Sequence, residues 1–308
     1  MNNFLIDAAN LAYRSHNANF ELKTTSGVFS GMIFGFVRTI VSLRKKYRDF
    51  KFSVVWDNKA KDKFEIQPDY KAGRSSLPGV VWTQVNDIRD FLESCGVDQY
   101  EHIGQEADDV LATLSKEMKE DGKVYVYTND KDLLQLVEDG KVIVFKPKVG
   151  VNPEKFYDEE AVRSQFGVPA SKLGLYRSFD GDDSDNIKGI SRVPRKIVAS
   201  LVNKYADIDE IYNNLSSIKL TDFQKQSFEE AKNRIGNNFK IVLLNRDLKD
   251  ILKKEASFNK DKLIEIFEKY EIKSIRSEDV IDLFSSSMMV RYSNPGDEVQ
   301  LESYNLFA

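Results

Sequence analysis

Apolar residues recur along this chain with two periods. Short runs rich in Val, Ile, Phe and Tyr, at Asn3 to Asp7, Phe52 to Asp57, Lys123 to Tyr127 and Val142 to Phe145, predict β-strands. Between them the spacing is helical. Gly31 to Tyr47 places Ile33, Phe36, Val37, Ile40, Val41 and Leu43 on one face, and Trp82 to Ser94 and Asp108 to Lys119 repeat the pattern, with a further short helix expected at Asp132 to Val137. Strands alternating with amphipathic helices imply an α/β fold with a mostly parallel sheet flanked by helices. From about residue 160 the strand signal fades. Helices are expected at Glu159 to Phe166, Ala170 to Phe179, Arg195 to Lys204, Ile208 to Asn214, Asp222 to Leu244 and Lys260 to Tyr270. Residues 1–158 are therefore expected to form an α/β domain and 159–287 a mainly helical subdomain. Residues 288–308, which follow Ser285-Ser286-Ser287 and contain Asn294-Pro295-Gly296, are expected to be a flexible tail.

The length of 308 residues is enough for two units, and a hydrophobic content of 41% supports a real core. Cys95 is the single cysteine, so no internal disulfide framework exists, and its place at the end of an amphipathic helix predicts packing rather than nucleophilic chemistry. No run approaches the roughly 18 apolar residues of a membrane span. A reduced, cytoplasmic setting and no membrane partner are expected.

Three of the predicted strands end on aspartate: Ile6-Asp7, Trp56-Asp57, and Tyr127-Thr128-Asn129-Asp130 followed by Asp132. Glu106-Ala107-Asp108-Asp109 and Gly181-Asp182-Asp183-Ser184-Asp185-Asn186 add further acids. Parallel strands deliver their carboxyl ends to one edge, and so many carboxylates meeting there cannot all stay ionised without cations. Oxygen donors without convergent His or Cys select hard ions, Mg²⁺ or Mn²⁺; His16 and His102 are isolated.

The net charge of −4 argues against a polyanionic partner until nine acids (Asp7, Asp57, Glu106, Asp108, Asp109, Asp130, Asp132, Asp182, Asp185) are assigned to metal, when the remainder becomes −4 + 9 = +5. The basic residues are grouped: Arg44-Lys45-Lys46 with Arg48, then Lys59, Lys61 and Lys63, then Lys71 and Arg74, then Lys188, Arg192, Arg195 and Lys196. Basic groups beside acidic motifs suggest a phosphate track.

Taken in order, Asp7 with Asn10, Tyr13 and Arg14, then Tyr70-Lys71-Ala72-Gly73-Arg74, Glu106-Ala107-Asp108-Asp109, Thr128-Asn129-Asp130-Lys131-Asp132 and Gly181-Asp182-Asp183-Ser184-Asp185-Asn186 resemble the motif set of the 5′-nuclease family. That family includes flap endonucleases, the 5′-3′ exonuclease domain of bacterial DNA polymerase I and stand-alone phage exonucleases. The resemblance covers roughly residues 3–250. It implies a PIN-like twisted sheet, a helix-3-turn-helix subdomain, and an arch over about residues 71–95 whose start, Ser75 to Gly79, orders on substrate. It implies two or more Mg²⁺ or Mn²⁺ ions, with Asp7, Asp57, Glu106 and Asp108 on the first, Asp130, Asp132 and Asp185 on the second, and Asp109 and Asp182 in support. Lys71 would stabilise charge on the scissile phosphate, Arg74 and Arg14 would grip neighbouring phosphates, and Tyr70 would stack on the terminal base.

One segment departs from the family pattern of Gly, apolar, any, Gly, apolar, Gly, any, Lys. Here Gly189-Ile190-Ser191-Arg192-Val193-Pro194-Arg195-Lys196 replaces two of the glycines. In the family this hairpin gives amides to duplex phosphates and carbonyls to a monovalent cation such as K⁺. Pro194 lacks an N–H, which removes one donor and puts that cation site in question, while Lys188, Gly189, Arg192, Arg195 and Lys196 remain as duplex contacts.

The sequence therefore reads as a metal-dependent, structure-specific 5′ nuclease of the stand-alone phage type, monomeric, acting on DNA with free 5′ ends, flaps, nicks or RNA–DNA primer duplexes during replication or repair. Residues 300–307 faintly resemble a peptide docking on a replication protein. The alternatives are a PIN-type ribonuclease, usually shorter and without the helical half, and a non-catalytic junction-binding module, against which the full acid set and Lys71 argue. A Rossmann nucleotide binder is poorly supported, since no glycine-rich loop follows the first strand.

Overall fold

A computed structural model of the chain describes residues 1–73, 79–148 and 150–290. Arg74, the Ser75 to Pro78 part of the expected arch, and tail residues 291–308 lie outside the described residues. The strands are β1 (Asn3–Asp7), β2 (Lys51–Val55), β3 (Asp98–Glu101), β4 (Val124–Tyr127), β5 (Val142–Lys146), β6 (Lys155–Tyr157), the short pair β7 (Gly181–Asp182) and β8 (Ile187–Lys188), and β9 (Leu252–Lys254). Seven form one sheet in the order β6-β5-β4-β1-β2-β3-β9. Its central pairings are parallel, and only the outermost, β5 with β6 and β3 with β9, are antiparallel.

Alternation along the central strands buries both faces. Phe4 and Ile6 of β1, Phe52 and Val54 of β2, and Tyr125 and Tyr127 of β4 face one layer. There Phe4 stacks on Phe52 at 5.1 Å between ring centroids. That layer is completed by helices α1 (Ala8–Ala18), α2 (Gly31–Lys46) and, beyond the short α3 (Lys61–Ile66), by α4 (Gly79–Ser94). Leu5, Val55, Val124 and Val126 point the other way, against α5 (Ala107–Met118), α6 (Glu159–Phe166), α7 (Leu173–Asp180), α8 (Arg195–Lys204), α9 (Ile208–Asn213) and α10 (Asp222–Val242). The mostly parallel α/β architecture matches the sequence expectation. Cys95 is buried in the aromatic layer, where burial pushes its thiol well above the ordinary range, in keeping with a packing role.

Hydrophobic packing runs across residue 158. The sheet and α6 to α10 share one hydrophobic cluster. The last helices, α11 (Lys260–Lys269) and α12 (Ser277–Val290), return to the first layer, where Leu263, Phe267, Val280 and Phe284 pack with residues of α2 and α4. Helical periodicity reveals that a face is apolar but not which sheet face will cover it. Three strands of the sheet also escaped the sequence reading, as did the short pair β7 and β8. The Asp98-Gln99-Tyr100-Glu101 run has no apolar alternation, and β6 and β9 are three-residue edge strands fixed by pairing alone.

Candidate active site at the carboxyl edge of the sheet

β1 and β4 are neighbours, so their carboxyl ends lie side by side. Asp7 ends β1 and caps α1, accepting from the Asn10 N–H at 3.0 Å. The Thr128 hydroxyl, just past β4, donates to the other Asp7 oxygen at 2.9 Å and accepts from the Asp130 N–H at 3.0 Å. Asp130 in turn accepts from the Asp132 N–H at 2.8 Å. These short-range bonds fix Asp7, Asp130 and Asp132 in series. From β2, Asp57 reaches the start of α5 and accepts from the Ala107 N–H at 2.9 Å, capping a helix whose own N-cap residue, Glu106, makes no side-chain cap. That turn sets Asp108 facing Asp7 and Asp130.

The charges here are unevenly compensated. Burial first, then Asp130 and Asp57, lift Asp7 to about 7. Burial first, then Asp130 and Asp7, hold Asp108 well above the carboxylate range. Burial and Asp130 lift Asp132 to about 6 although Arg177 opposes. Asp130 is thus the common neighbour of all three. Among the described residues no Lys or Arg makes an ion pair with Asp7, Asp108 or Asp130.

Elsewhere the acids are neutralised by cations of the chain. Lys63 of α3 is buried and lies 3.1 Å from both Glu106 and Asp109. Although burial works the other way, Lys63 and Lys71 together hold Glu106 below its usual range. Arg177 joins Asp132 at 2.7 Å and Asp182; Asp182 is kept low, against burial, by Ser184 and Arg177. Asp109 also accepts from the Asn245 N–H at 2.8 Å, which anchors the chain after α10.

The site is therefore less uniform than the sequence suggested. Among the described residues, no three or more His, Cys, Asp or Glu side chains are gathered tightly enough to hold an ion as they stand. Asp7, Asp57, Asp108 and Asp130 line one groove of about 1360 Å³ together with Lys71, Arg14, Arg38 and Lys148. Asp132, Asp182 and Asp185 lie beside it, and Glu106 and Asp109 are tied to Lys63. The donor set still fits hard divalent ions: it is all carboxylate, and its least compensated members are those lifted by burial and then by mutual repulsion.

Lys71 sits at φ 58°, an unfavourable left-handed conformation for a non-glycine residue, held by its N–H donating to the Asp185 carbonyl at 3.0 Å and by its ammonium on Glu106. The neighbouring loop grips the β7–β8 turn as well. Gln67 donates to the Asn186 carbonyl at 2.7 Å, and the Asn186 amide donates to the Asp69 carboxylate at 2.8 Å. Tyr70 corrects the sequence expectation of base stacking. It is 4% exposed, packed on Phe64, Ile187 and Ile241, and its hydroxyl donates to Glu106 at 3.1 Å. An aromatic ring at a loop reads as available in a sequence; here Phe64 meets the ring edge-on and the Lys71 ammonium lies over it at 5.0 Å from its centroid.

Beyond the acids, the expected duplex contacts gather on the β7–β8 hairpin. Gly189 crosses the end of α7 so closely that a Cβ would meet the Asp180 carbonyl oxygen at 2.3 Å. Arg192 is exposed over the Phe223 ring, Lys188 and Lys196 are exposed, and Arg195 pairs with Asp180 at 2.6 Å while staying open to solvent. Two residues that sequence reasoning missed brace this hairpin. Asn238, buried on α10, donates to the Ser178 and Lys188 carbonyls at 2.9 and 3.0 Å, and Arg234 donates to those of Lys188 and Gly189 at 3.2 and 3.3 Å. Lys63 and Arg177 were also missed as site residues. The one available signal was Arg177 standing alone in the apolar run Leu173-Gly174-Leu175-Tyr176-Arg177-Ser178-Phe179, just before the acidic loop.

Carboxylates on a parallel sheet edge, a strained lysine beside them and a basic hairpin beyond define a phosphodiester hydrolase of the 5′-nuclease class. The chain belongs to the 5′-3′ exonuclease family: residues 2–167 match the 5′-3′ exonuclease, N-terminal resolvase-like domain. It is 34% identical to a 5′-3′ exonuclease of Aquifex aeolicus over 283 residues, which cover 89% of this chain and 94% of that protein. It is 30% identical to DNA polymerase I of Caldicellulosiruptor bescii over 279 residues, 88% of this chain and 32% of the polymerase. The fold is shared with the T5 D15 protein co-crystallised with metal ions (TM-score 0.66, 18% identity, 92% of this chain and 100% of that one). It is shared too with the catalytic core of Rad2 in complex with DNA substrate (TM-score 0.59, 15% identity, 92% of each chain).

The raised carboxyl groups predict an inverted pH dependence of stability without divalent ions. Asp7 and Asp132 bind protons more tightly folded than unfolded, so their contribution is complete below the ordinary value of 3.8 and is lost as pH rises through about 6 and about 7. Each unit of displacement corresponds to about 1.4 kcal/mol. The melting temperature in EDTA should fall between pH 5 and 8, and Mg²⁺ should remove most of the fall. An EDTA curve that is flat or rises across that range contradicts the electrostatics described here.

Proposed function

We propose that this 5′ nuclease hydrolyses phosphodiesters at free 5′ ends, flaps, nicks and RNA-primed duplexes, using two Mg²⁺ or Mn²⁺ ions. The observation that carries the reading is the group Asp7, Asp108 and Asp130, which share a groove with Lys71 and repel one another without a cation of the chain at ion-pair distance among the described residues. Asp7, Asp57, Asp108 and Asp130 form one half of the ion site and Asp132, Asp182 and Asp185 the other, with Glu106 and Asp109 holding the surrounding turns. Bound divalent ions supply an activated water and charge neutralisation at the attacked phosphate. Lys71 brings an ammonium to that phosphate when it exchanges Glu106 for it. Arg14 lies along the groove on the Tyr127 hydroxyl, and its Nη1 is buried with no acceptor among the described residues, which suits a phosphate oxygen. Arg74 is assigned to neighbouring phosphates from its sequence motif alone.

The test is cleavage of 5′-labelled flap, nicked, blunt and RNA-primed duplexes in Mg²⁺ and in EDTA. Cleavage within a few nucleotides of the 5′ junction that vanishes in EDTA is expected. Activity in EDTA, or equal cutting of internal single strands, contradicts the reading. The same substrates rank exonuclease against flap endonuclease and RNA against DNA.

The hairpin is assigned to the duplex. Because Arg234 already occupies the Lys188 and Gly189 carbonyls, and Pro194 offers no N–H, affinity should be nearly the same in K⁺ and Na⁺ at equal ionic strength. Each phosphate contact releases roughly 0.9 counterion, so Arg192→Ala with Arg195→Ala should weaken duplex binding and flatten the salt slope by up to about two units. A strong K⁺ preference, or an unchanged slope in the double variant, would overturn that assignment.

A further inference from the structure

Arg177 is 4% exposed, on the last turn of α7, and each of its three guanidinium nitrogens is engaged. Nε donates to Asp132 at 2.7 Å, Nη2 donates to Asp182, Nη1 donates to the Gly181 carbonyl at 2.9 Å, and Asp180 lies 3.6 Å away. A planar fork is well matched to two carboxylates on different elements, the turn after β4 and the β7–β8 hairpin, and arginine keeps its charge when buried. The other half of the acid group is different: Asp7, Asp108 and Asp130 make no ion pair with any described Lys or Arg. The chain thus supplies its own cation to Asp132 and Asp182, and none of its described Lys or Arg to Asp7, Asp108 or Asp130.

We propose that Arg177 is a positioning residue that ties Asp132 to Asp182 and acts as a tethered counterion, so that divalent ions load in order: tightly at Asp7, Asp108 and Asp130, then weakly at Asp132, Asp182 and Asp185. The inference rests on the proposed reading of these acids as divalent-ion ligands. Its physical basis is repulsion. A fixed positive charge in contact with two carboxylates of the second half opposes a doubly charged ion there at short range in a partly desolvated site, whereas Asp7, Asp108 and Asp130 have no described Lys or Arg at ion-pair distance. The ordering lets the protein keep one ion at rest and take up the second as phosphate oxygens arrive to add negative charge.

The test is Mn²⁺ binding to the full chain without DNA, followed by the loss of the free Mn²⁺ spin-resonance signal and by calorimetry. The wild-type protein should show two classes of site separated by more than about tenfold in affinity. Arg177→Met keeps the apolar stem and removes the charge; it should tighten the second class at least about tenfold and leave the first unchanged. Arg177→Lys should keep the weak second class. Two equal classes in the wild type, a single class in both wild type and Arg177→Met, or a second class that Arg177→Met weakens or leaves alone, overturns the proposal while leaving the metal reading intact. No Mn²⁺ bound by the wild type would defeat the metal reading itself. Should Arg177→Met fail to fold, Arg177→Lys decides: a retained weak class supports the tethered charge, and a tightened one refutes it.

Discussion

Asp130→Asn is expected to reduce cleavage by about 10³ or more while DNA binding stays equal or becomes tighter. Asp130 has this weight because it is the one acid that acts on Asp7, Asp108 and Asp132 alike. Its side chain also accepts the Asp132 N–H, a bond that an asparagine side chain can still make through its carbonyl oxygen. The substitution therefore removes a charge and an ionic oxygen with little change in shape. Phosphate repulsion falls, so affinity should not suffer. The same loss of charge relieves the metal-free protein: Asp7 and Asp132 should titrate lower, and the decline of stability between pH 5 and 8 in EDTA should shrink. Single-turnover cleavage, duplex affinity and melting curves measured on one preparation separate these effects. Near-normal cleavage by Asp130→Asn would remove Asp130 from the ion site, and a steeper pH decline would contradict the shared repulsion.

Lys71→Ala is expected to lower single-turnover cleavage by about 10² with little change in duplex affinity, the pattern for a contact made mainly in the transition state. The structure adds a reason for caution in choosing the control. The Lys71 ammonium neutralises Glu106, and its backbone, strained at φ 58°, is anchored to the Asp185 carbonyl. Removing the amine leaves Lys63 and the Tyr70 hydroxyl still on Glu106, so the turn should survive. Alanine inherits the same backbone strain, and the Lys71→Ala melting point should stay close to wild type. A wild-type rate in Lys71→Ala refutes the assignment, and a large loss of duplex affinity would show that Lys71 serves ground-state binding instead. Because Asp69, Lys71 and Gln67 all bond to residues 185 and 186 of the hairpin, Asn186→Ala should also lower the rate by loosening Lys71 from a distance.

The fold class was legible because short unbroken apolar runs such as Phe4-Leu5-Ile6 report strands buried on both faces, and because strand ends carry their acids to a common edge whatever the helices do. Family membership was equally legible, since motif order survives where overall identity is low. Asp7, Asp57, Asp108, Asp130 and Asp132 needed no structure to be singled out.

What only tertiary structure decided is where charge is already spent. Lys63 read as part of a basic group on a phosphate track, yet folding buries it between Glu106 and Asp109; Arg177, marked only by standing alone in its apolar run, holds Asp132 to Asp182; and Tyr70 turns inward. All but the Arg177–Asp182 pair join positions tens of residues apart in sequence, and the energy of an ion pair depends on distance and burial, which residue spacing does not encode. The sequence by itself singled out the candidate acids and the edge of the sheet on which they emerge. The packed chain alone decided which of those acids Lys63, Lys71 and Arg177 already neutralise.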